Sequence, residues 1–190
     1  MIDNVTNTTS DNYFKLLGLP VSFDINNDDL NNNYHEIQKS VHPDKFASSS
    51  DLERRLSVQK AAQINDALET LKNPLRRSIY LLSLYGVELS ENGNAMDPAF
   101  LMEQMELREN LSQVDDREDP LAELDEILDD VKLRIKKAID GLSGLFKELG
   151  LQDSQEQLLK ETRAQVLKMQ FLSRLQEECL NKEEDLADQL

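Results

Sequence analysis

Val41-His42-Pro43-Asp44-Lys45-Phe46-Ala47-Ser48-Ser49-Ser50-Asp51 is the stretch that decides the fold. Upstream of it, Leu30, Tyr34, Ile37 and Val41 recur three and four apart, the period of a helix with one apolar face. Pro43 lacks a backbone N–H and disfavours helix at the residue before it, so this first helix stops at the tripeptide. The run Lys45 to Ser50 makes a loop, and a second helical pattern opens at Asp51. Two helices joined in this way form a hairpin. Its tip displays an imidazole and a carboxylate, His42 and Asp44, with a proline fixing the backbone between them.

Working outward, Asp11 is placed to cap a short helix through Tyr13, Phe14, Leu16 and Leu17, which ends at Gly18 with Pro20 just beyond. Asn26 or Asn27 caps the first arm of the hairpin, and Asp28 and Asp29 complement the helix dipole in its first turn. The second arm carries the stripe Leu52, Leu56, Ile64, Ala67/Leu68 and Leu71. Asn73-Pro74 stops it and starts a fourth helix with Leu75, Ile79, Leu82 and Tyr85, closed by Gly86.

Residues 87–96, with Ser90, Asn92, Gly93 and Asn94, read as a linker. Asp97-Pro98 repeats the cap-then-proline start and opens a helix through about Leu111. A polar loop from Asp115 to Asp119 leads to Pro120 and a long helix with the stripe Leu121, Leu124, Leu128, Val131, Ile135, Ala138, Leu142, Leu145 and Leu149, ended by Gly150. A last helix starts near Asp153 or Ser154, with Leu158, Thr162, Val166, Met169, Leu172 and Leu180 inward. The expected architecture is all-α. A disordered N-terminus covers 1–10, a helical-hairpin domain 11–86, a linker 87–96, and an antiparallel three-helix bundle 97–190.

Composition agrees with helices. Charged residues make up 31% of the 190 residues and aromatics 5%, with no Trp and six Gly, a poor recipe for sheet. The net charge of −16 is uneven: up to Gly86 nine Lys/Arg face eleven Asp/Glu, and beyond it twelve face twenty-six. Such acidity repels phosphate backbones and anionic lipid, which argues against nucleic acid and membrane as partners and for a basic protein partner of the second half.

The single cysteine, Cys179, allows no internal disulfide and no multi-cysteine metal site. It reads as a half-buried structural residue near Leu175 and Leu180. No apolar run is long enough to span a membrane. The first dozen residues are polar and lack Lys and Arg, unlike a signal or transit peptide, so a cytoplasmic location is expected.

Stripes mostly mean core, so informative residues are those a stripe cannot absorb. At 100° per residue from Asp97, Phe100, Leu107 and Leu111 share one face within roughly 40°. Leu101, Met102 and Met105 fall about 100° to 200° away, with Glu106 and Glu109 at the border of that second face. A bundle helix buries one broad stripe, so this second face is a candidate docking surface, suited to adaptable Met side chains. In the last helix, Phe171 lies about 160° from Met169, which places a large aromatic on the outer face. Enzyme readings find little support. His42 and Asp44 lack a third group, no Ser or Cys is suitably placed, no Gly-rich phosphate loop is present, and two His (His35 and His42) without Cys pairs carry little zinc signal.

Three motifs give the first half a likeness: Tyr13-Phe14-Lys15-Leu16-Leu17-Gly18-Leu19, His42-Pro43-Asp44-Lys45-Phe46 and Ile64-Asn65-Asp66-Ala67. From Tyr13 to Gly86 the chain resembles a J-domain. With Tyr80-Leu81-Leu82-Ser83-Leu84 and the segment from Asp97-Pro98-Ala99-Phe100-Leu101 to Glu109 added, the whole chain is similar to the HscB-type iron–sulfur cluster co-chaperone family. The resemblance implies a non-enzymatic co-chaperone without a cofactor or metal of its own. Its His42, Pro43 and Asp44, with Lys39 and Lys45, would meet a DnaK-type (HscA-like) chaperone and stimulate that partner's ATPase. Its bundle would bind an IscU-like iron–sulfur scaffold through Leu101, Met102, Met105, Glu106, Glu109 and Phe171.

Two features depart from the family pattern. Only Lys39 and Lys45 stand where J-domains carry a basic stretch, and a cysteine-bearing N-terminal extension found in some members is absent. A general J-domain co-chaperone for a different client, or a bundle that serves only for dimerisation, stays open as an alternative.

Overall fold

The computed structural model describes residues 12–41, 50–89, 98–151 and 156–188, and within them every regular element is helical. The order is α1 (Tyr13–Leu16), α2 (Asn27–Val41), α3 (Asp51–Lys72), α4 (Pro74–Leu84), α5 (Pro98–Ser112), a 3-10 turn (Val114–Asp116), α6 (Pro120–Leu149) and α7 (Glu156–Ala187). The chain divides into two compact units, Met1–Val87 and Glu88–Leu190. None of these helices is long and apolar enough to cross a membrane.

In the first unit, the α2–α3 hairpin carries α1 and α4 against α3. Phe14, Leu17, Phe23, Leu30, Ile64, Ala67, Leu71, Leu81 and Leu82 fill its core. Helix ends follow local chemistry. Asn12, and not Asp11, which lies outside the described residues, caps α1 by accepting the Lys15 N–H at 2.8 Å. Asn26 caps α2 through the Asp28 N–H at 2.9 Å. Ser50 caps α3 in a reciprocal box with Glu53, whose carboxylate accepts the Ser50 N–H at 2.9 Å. Gly18 and Gly86, at φ 65 and 74, let α1 and α4 end in the paired 6→1 and 5→2 bonds of a left-handed termination.

The α3 stripe differs from expectation at its start, where Leu52 and Leu56 are exposed and Ser57 is buried. The register explains this. Tyr34 of α2 donates its hydroxyl hydrogen to Asn65 of α3 at 3.0 Å, so in antiparallel sense Val41 comes level with Ser57 and Val58. Leu52 and Leu56 therefore lie beyond the end of α2.

The second unit is a long α6–α7 hairpin with α5 laid against one part of it. The α6 stripe is buried at Leu124, Leu128, Val131, Ala138, Leu142 and Leu149, with Phe146 taking the place expected of Leu145. Along α7 the inward set is Leu158, Thr162, Val166, Met169, Leu172, Leu175 and Cys179. Cys179, expected as a half-buried structural residue, is fully buried, whereas Leu180, expected inward, is exposed. Stepping 3.6 residues from Leu172 and Leu175 reaches 179, while 180 has already turned past the seam. The expected α7 start at Asp153 or Ser154 lies outside the described residues, as do expected segments 1–10 and most of 87–96.

Candidate docking sites

The first candidate site lies at the end of the α2–α3 hairpin. His42, Pro43, Asp44 and Lys45 lie outside the described residues, between Val41 and the Ser50 cap. What the structure does describe is the helical unit on either side of them. Tyr13 donates its hydroxyl hydrogen to Asp66, and its ring stacks on Tyr80 with centroids 4.5 Å apart. The Tyr80 hydroxyl accepts the Tyr13 N–H at 2.8 Å. The bond to Asp66, with burial adding, raises the Tyr13 hydroxyl to a pKa of about 12. Asn33 ties α2 to α1 by donating to the Leu17 carbonyl at 2.9 Å. Gln38 donates to the Tyr34 hydroxyl at 2.8 Å, one turn along α2 from the bond to Asn65.

Asn65-Asp66 therefore holds two helices at once. Arg77 is buried against Phe23, with its guanidinium 5.0 Å from the ring centroid, and donates to the Leu71 carbonyl at 2.7 Å. Lys39 is exposed in the last turn of α2 and pairs with Glu36 at 2.7 Å. His35 is exposed and lies edge-on to Tyr34.

The second candidate site is the outer face of α5. Leu107 and Leu111 are buried against Leu128, Val131, Leu172, Leu175 and Cys179, which fixes the side of α5 that faces the hairpin. On the other side Leu101, Met102 and Met105 are exposed at 48%, 71% and 65%. Exposure on that scale leaves most of each side chain open to a partner. Glu106 and Glu109 are exposed beside them, Glu109 accepting a bond from Gln113 at 3.2 Å. The separation into an inward and an outward apolar set is thus present in the folded chain.

Phe171 departs from the expected placement. It is half-buried, edge-on to Phe100 at 5.9 Å and 88°, with the Arg108 guanidinium 5.7 Å from its ring centroid. Helix α7 packs against α5 as well as α6, and the side turned away from the α6 seam receives α5. The aromatic assigned to an outer face is therefore part of the α5–α7 contact, beside the exposed set.

Sequence reasoning passed over Glu103. It is an inward residue of α5, one turn before Leu107, and bonds Arg134 of α6 and, at 2.8 Å, Lys168 of α7. Its register with Phe100, Leu107 and Leu111 was the available signal, since a carboxylate inside an apolar stripe needs a partner. Arg134 also pairs with Asp130 at 2.7 Å, and that bond holds its guanidinium above its ordinary pKa. Among the described residues no group of three or more His, Cys, Asp or Glu is arranged to hold a metal ion.

Comparison with known proteins places both halves. Residues 12–80 match the family model of the DnaJ domain, and residues 96–179 match that of the HSCB C-terminal oligomerisation domain. The co-chaperone HscB homolog of Shewanella denitrificans is 42% identical over 178 residues, spanning 93% of this chain and 99% of its own length. This chain belongs to the HscB co-chaperone family. Its fold agrees: the chaperone HscB from Vibrio cholerae has a TM-score of 0.80 at 39% identity over 93% of this chain and 99% of its own. Human co-chaperone HscB has a TM-score of 0.81 at 32% identity, over 93% and 84%. The J-domain hairpin and the HscB-type bundle are thus the two units described above.

Proposed function

We propose that this chain is a non-enzymatic adaptor in iron–sulfur cluster assembly. Its bundle, 97–190, binds an IscU-like scaffold protein. Its J-domain, 11–86, presents His42-Pro43-Asp44, flanked by Lys39 and Lys45, to a DnaK-type (HscA-like) chaperone and stimulates ATP hydrolysis there. The segment 87–96 tethers the two, and the site of action is the cytoplasm. The observation that carries the reading is the exposed Leu101-Met102-Met105 face on α5, bordered by Glu106 and Glu109, in a chain of the HscB family. Apolar contact, Phe171 included, supplies affinity, and the two carboxylates set register and encounter rate against a basic partner.

The J-domain contact accelerates hydrolysis only by favouring the chaperone's hydrolysis-competent state over its resting one. Holding both partners on one chain raises the effective concentration of scaffold at the chaperone. The test is single-turnover ATP hydrolysis by the chaperone, with and without scaffold. His42→Gln should abolish stimulation while leaving scaffold binding intact, and unchanged stimulation by that variant overturns the J-domain assignment. A second reading takes its support from the family model's own description, oligomerisation: the same α5 face would pair two copies of this chain. Sedimentation decides, because a mass that doubles with concentration and reverts in Met105→Ala favours self-pairing.

A further inference from the structure

Helix α5 carries the proposed docking face, yet its grip on the hairpin is unevenly distributed. Leu107 and Leu111, both buried, lie in its second half. The first half, which carries Leu101, Met102 and Met105, turns inward half-buried Phe100 and Gln104 and the Glu103 carboxylate, with no fully buried apolar side chain. Burial of apolar surface is non-directional, and a helix resting on it alone can roll about its own axis. A carboxylate shared between an arginine and a lysine on two different helices is directional. Glu103 meets that description: it pairs with Arg134 on α6 and Lys168 on α7, and the three side chains are only 25% to 33% exposed. Lys168 also lies 5.5 Å from the Phe100 ring centroid, so the ion pairs and the Phe100–Phe171 contact share a residue.

We propose that Glu103 is the positioning residue of the docking face. Its two ion pairs set the rotation of α5, and with it which side chains the first half of the helix turns outward. Glu103 does not touch the partner. It acts on Met102 and Met105, which lie about 100° and 160° round the helix from it in the same sense and swing together when α5 rolls. This inference rests on the scaffold-docking reading above.

The test uses the full chain. Glu103→Gln should speed amide hydrogen exchange across residues 98–106 by about five-fold or more, with no partner present, and weaken scaffold docking roughly three- to ten-fold, the scale of one partly buried charge-assisted contact. Glu103→Leu separates positioning from plain structure. It continues the apolar stripe, and stability should change little, because Arg134 keeps its Asp130 partner and the Lys168 ammonium, a third exposed, can turn to water. Docking should nevertheless weaken as in Glu103→Gln. A melting temperature that holds while docking weakens supports the proposal. Unchanged docking in both variants, in a chain where Met105→Ala weakens it, overturns the proposal. If Met105→Ala itself leaves docking untouched, the docking face is misassigned, and the exchange rates of the first half of α5 then decide the role of Glu103: faster supports it and unchanged removes it.

Discussion

Replacing Leu101, Met102 and Met105 together by alanine should damage docking and spare folding. Complete burial of one Leu or Met side chain is worth about 1.5–3 kcal/mol. In the free chain these three keep 48%, 71% and 65% of their surface in water, so a covering partner has roughly half to two-thirds of that value left to gain from each. The sum is about 3 kcal/mol once the retained alanine Cβ atoms and imperfect cover are discounted, or about 150-fold in Kd. Folding should change by only a few tenths of a kcal/mol per site, since these residues support no core and alanine is the better helix former. Isothermal titration with scaffold reads the first quantity, and thermal unfolding of the free protein reads the second. Leu107→Ala is the control in the opposite sense. At 6% exposure it should cost on the order of 3 kcal/mol of stability in the second unit. An unchanged Kd for the triple variant, or a fall in its melting temperature comparable to that of Leu107→Ala, would refute the reasoning.

Three further outcomes follow from the geometry. The Tyr13 hydroxyl holds its proton to about pH 12 in the folded chain and to about pH 10 when unfolded, so its stabilisation is complete below pH 10 and is lost as the pH rises from 10 to 12. With solvent screening this amounts to about 1 kcal/mol, and urea unfolding of Tyr13→Phe should show a shallower alkaline decline than wild type. Some decline should remain, since burial also raises Tyr80 and Tyr85. Ser50→Ala removes the cap and half of the reciprocal box of α3, and should cost about 1 kcal/mol by denaturant unfolding. The Cys179 thiol, buried and raised further by Glu178, should react with a thiol reagent only as fast as the second unit opens; a native rate equal to that in denaturant contradicts its burial.

The sequence made much of the architecture legible where chemistry is local. Proline opens α4, α5 and α6 at their first residue, and the thirty-residue stripe of α6 keeps one period along its whole length. The misplaced residues share a different cause. Leu52 and Leu56 look like core in one dimension, and only the antiparallel register set by Tyr34 and Asn65 shows that α2 has ended before it reaches them. Phe171 points away from one neighbour and towards another, a distinction that requires knowing where α5 lies. Arg77 is a charged residue within a core, tolerated because a carbonyl and an aromatic face receive its guanidinium. The outward set Leu101, Met102 and Met105 was readable because it needed only the angle between two faces of a single helix. Glu103 was readable by the same geometry, but its meaning depends on cations 31 and 65 residues away.

The bonds that fasten α1 have a consequence for the order in which the chain acquires structure. A four-residue helix has no stability of its own, because nucleation costs more than one turn returns. Its fastenings reach from Tyr13 to Asp66 and Tyr80, 53 and 67 residues along the chain. The helix nearest the start of this unit therefore cannot be fastened in its native place before Tyr80 has left the ribosome, and the native cover of Phe14 and Leu17 waits on the same late-made part of the chain.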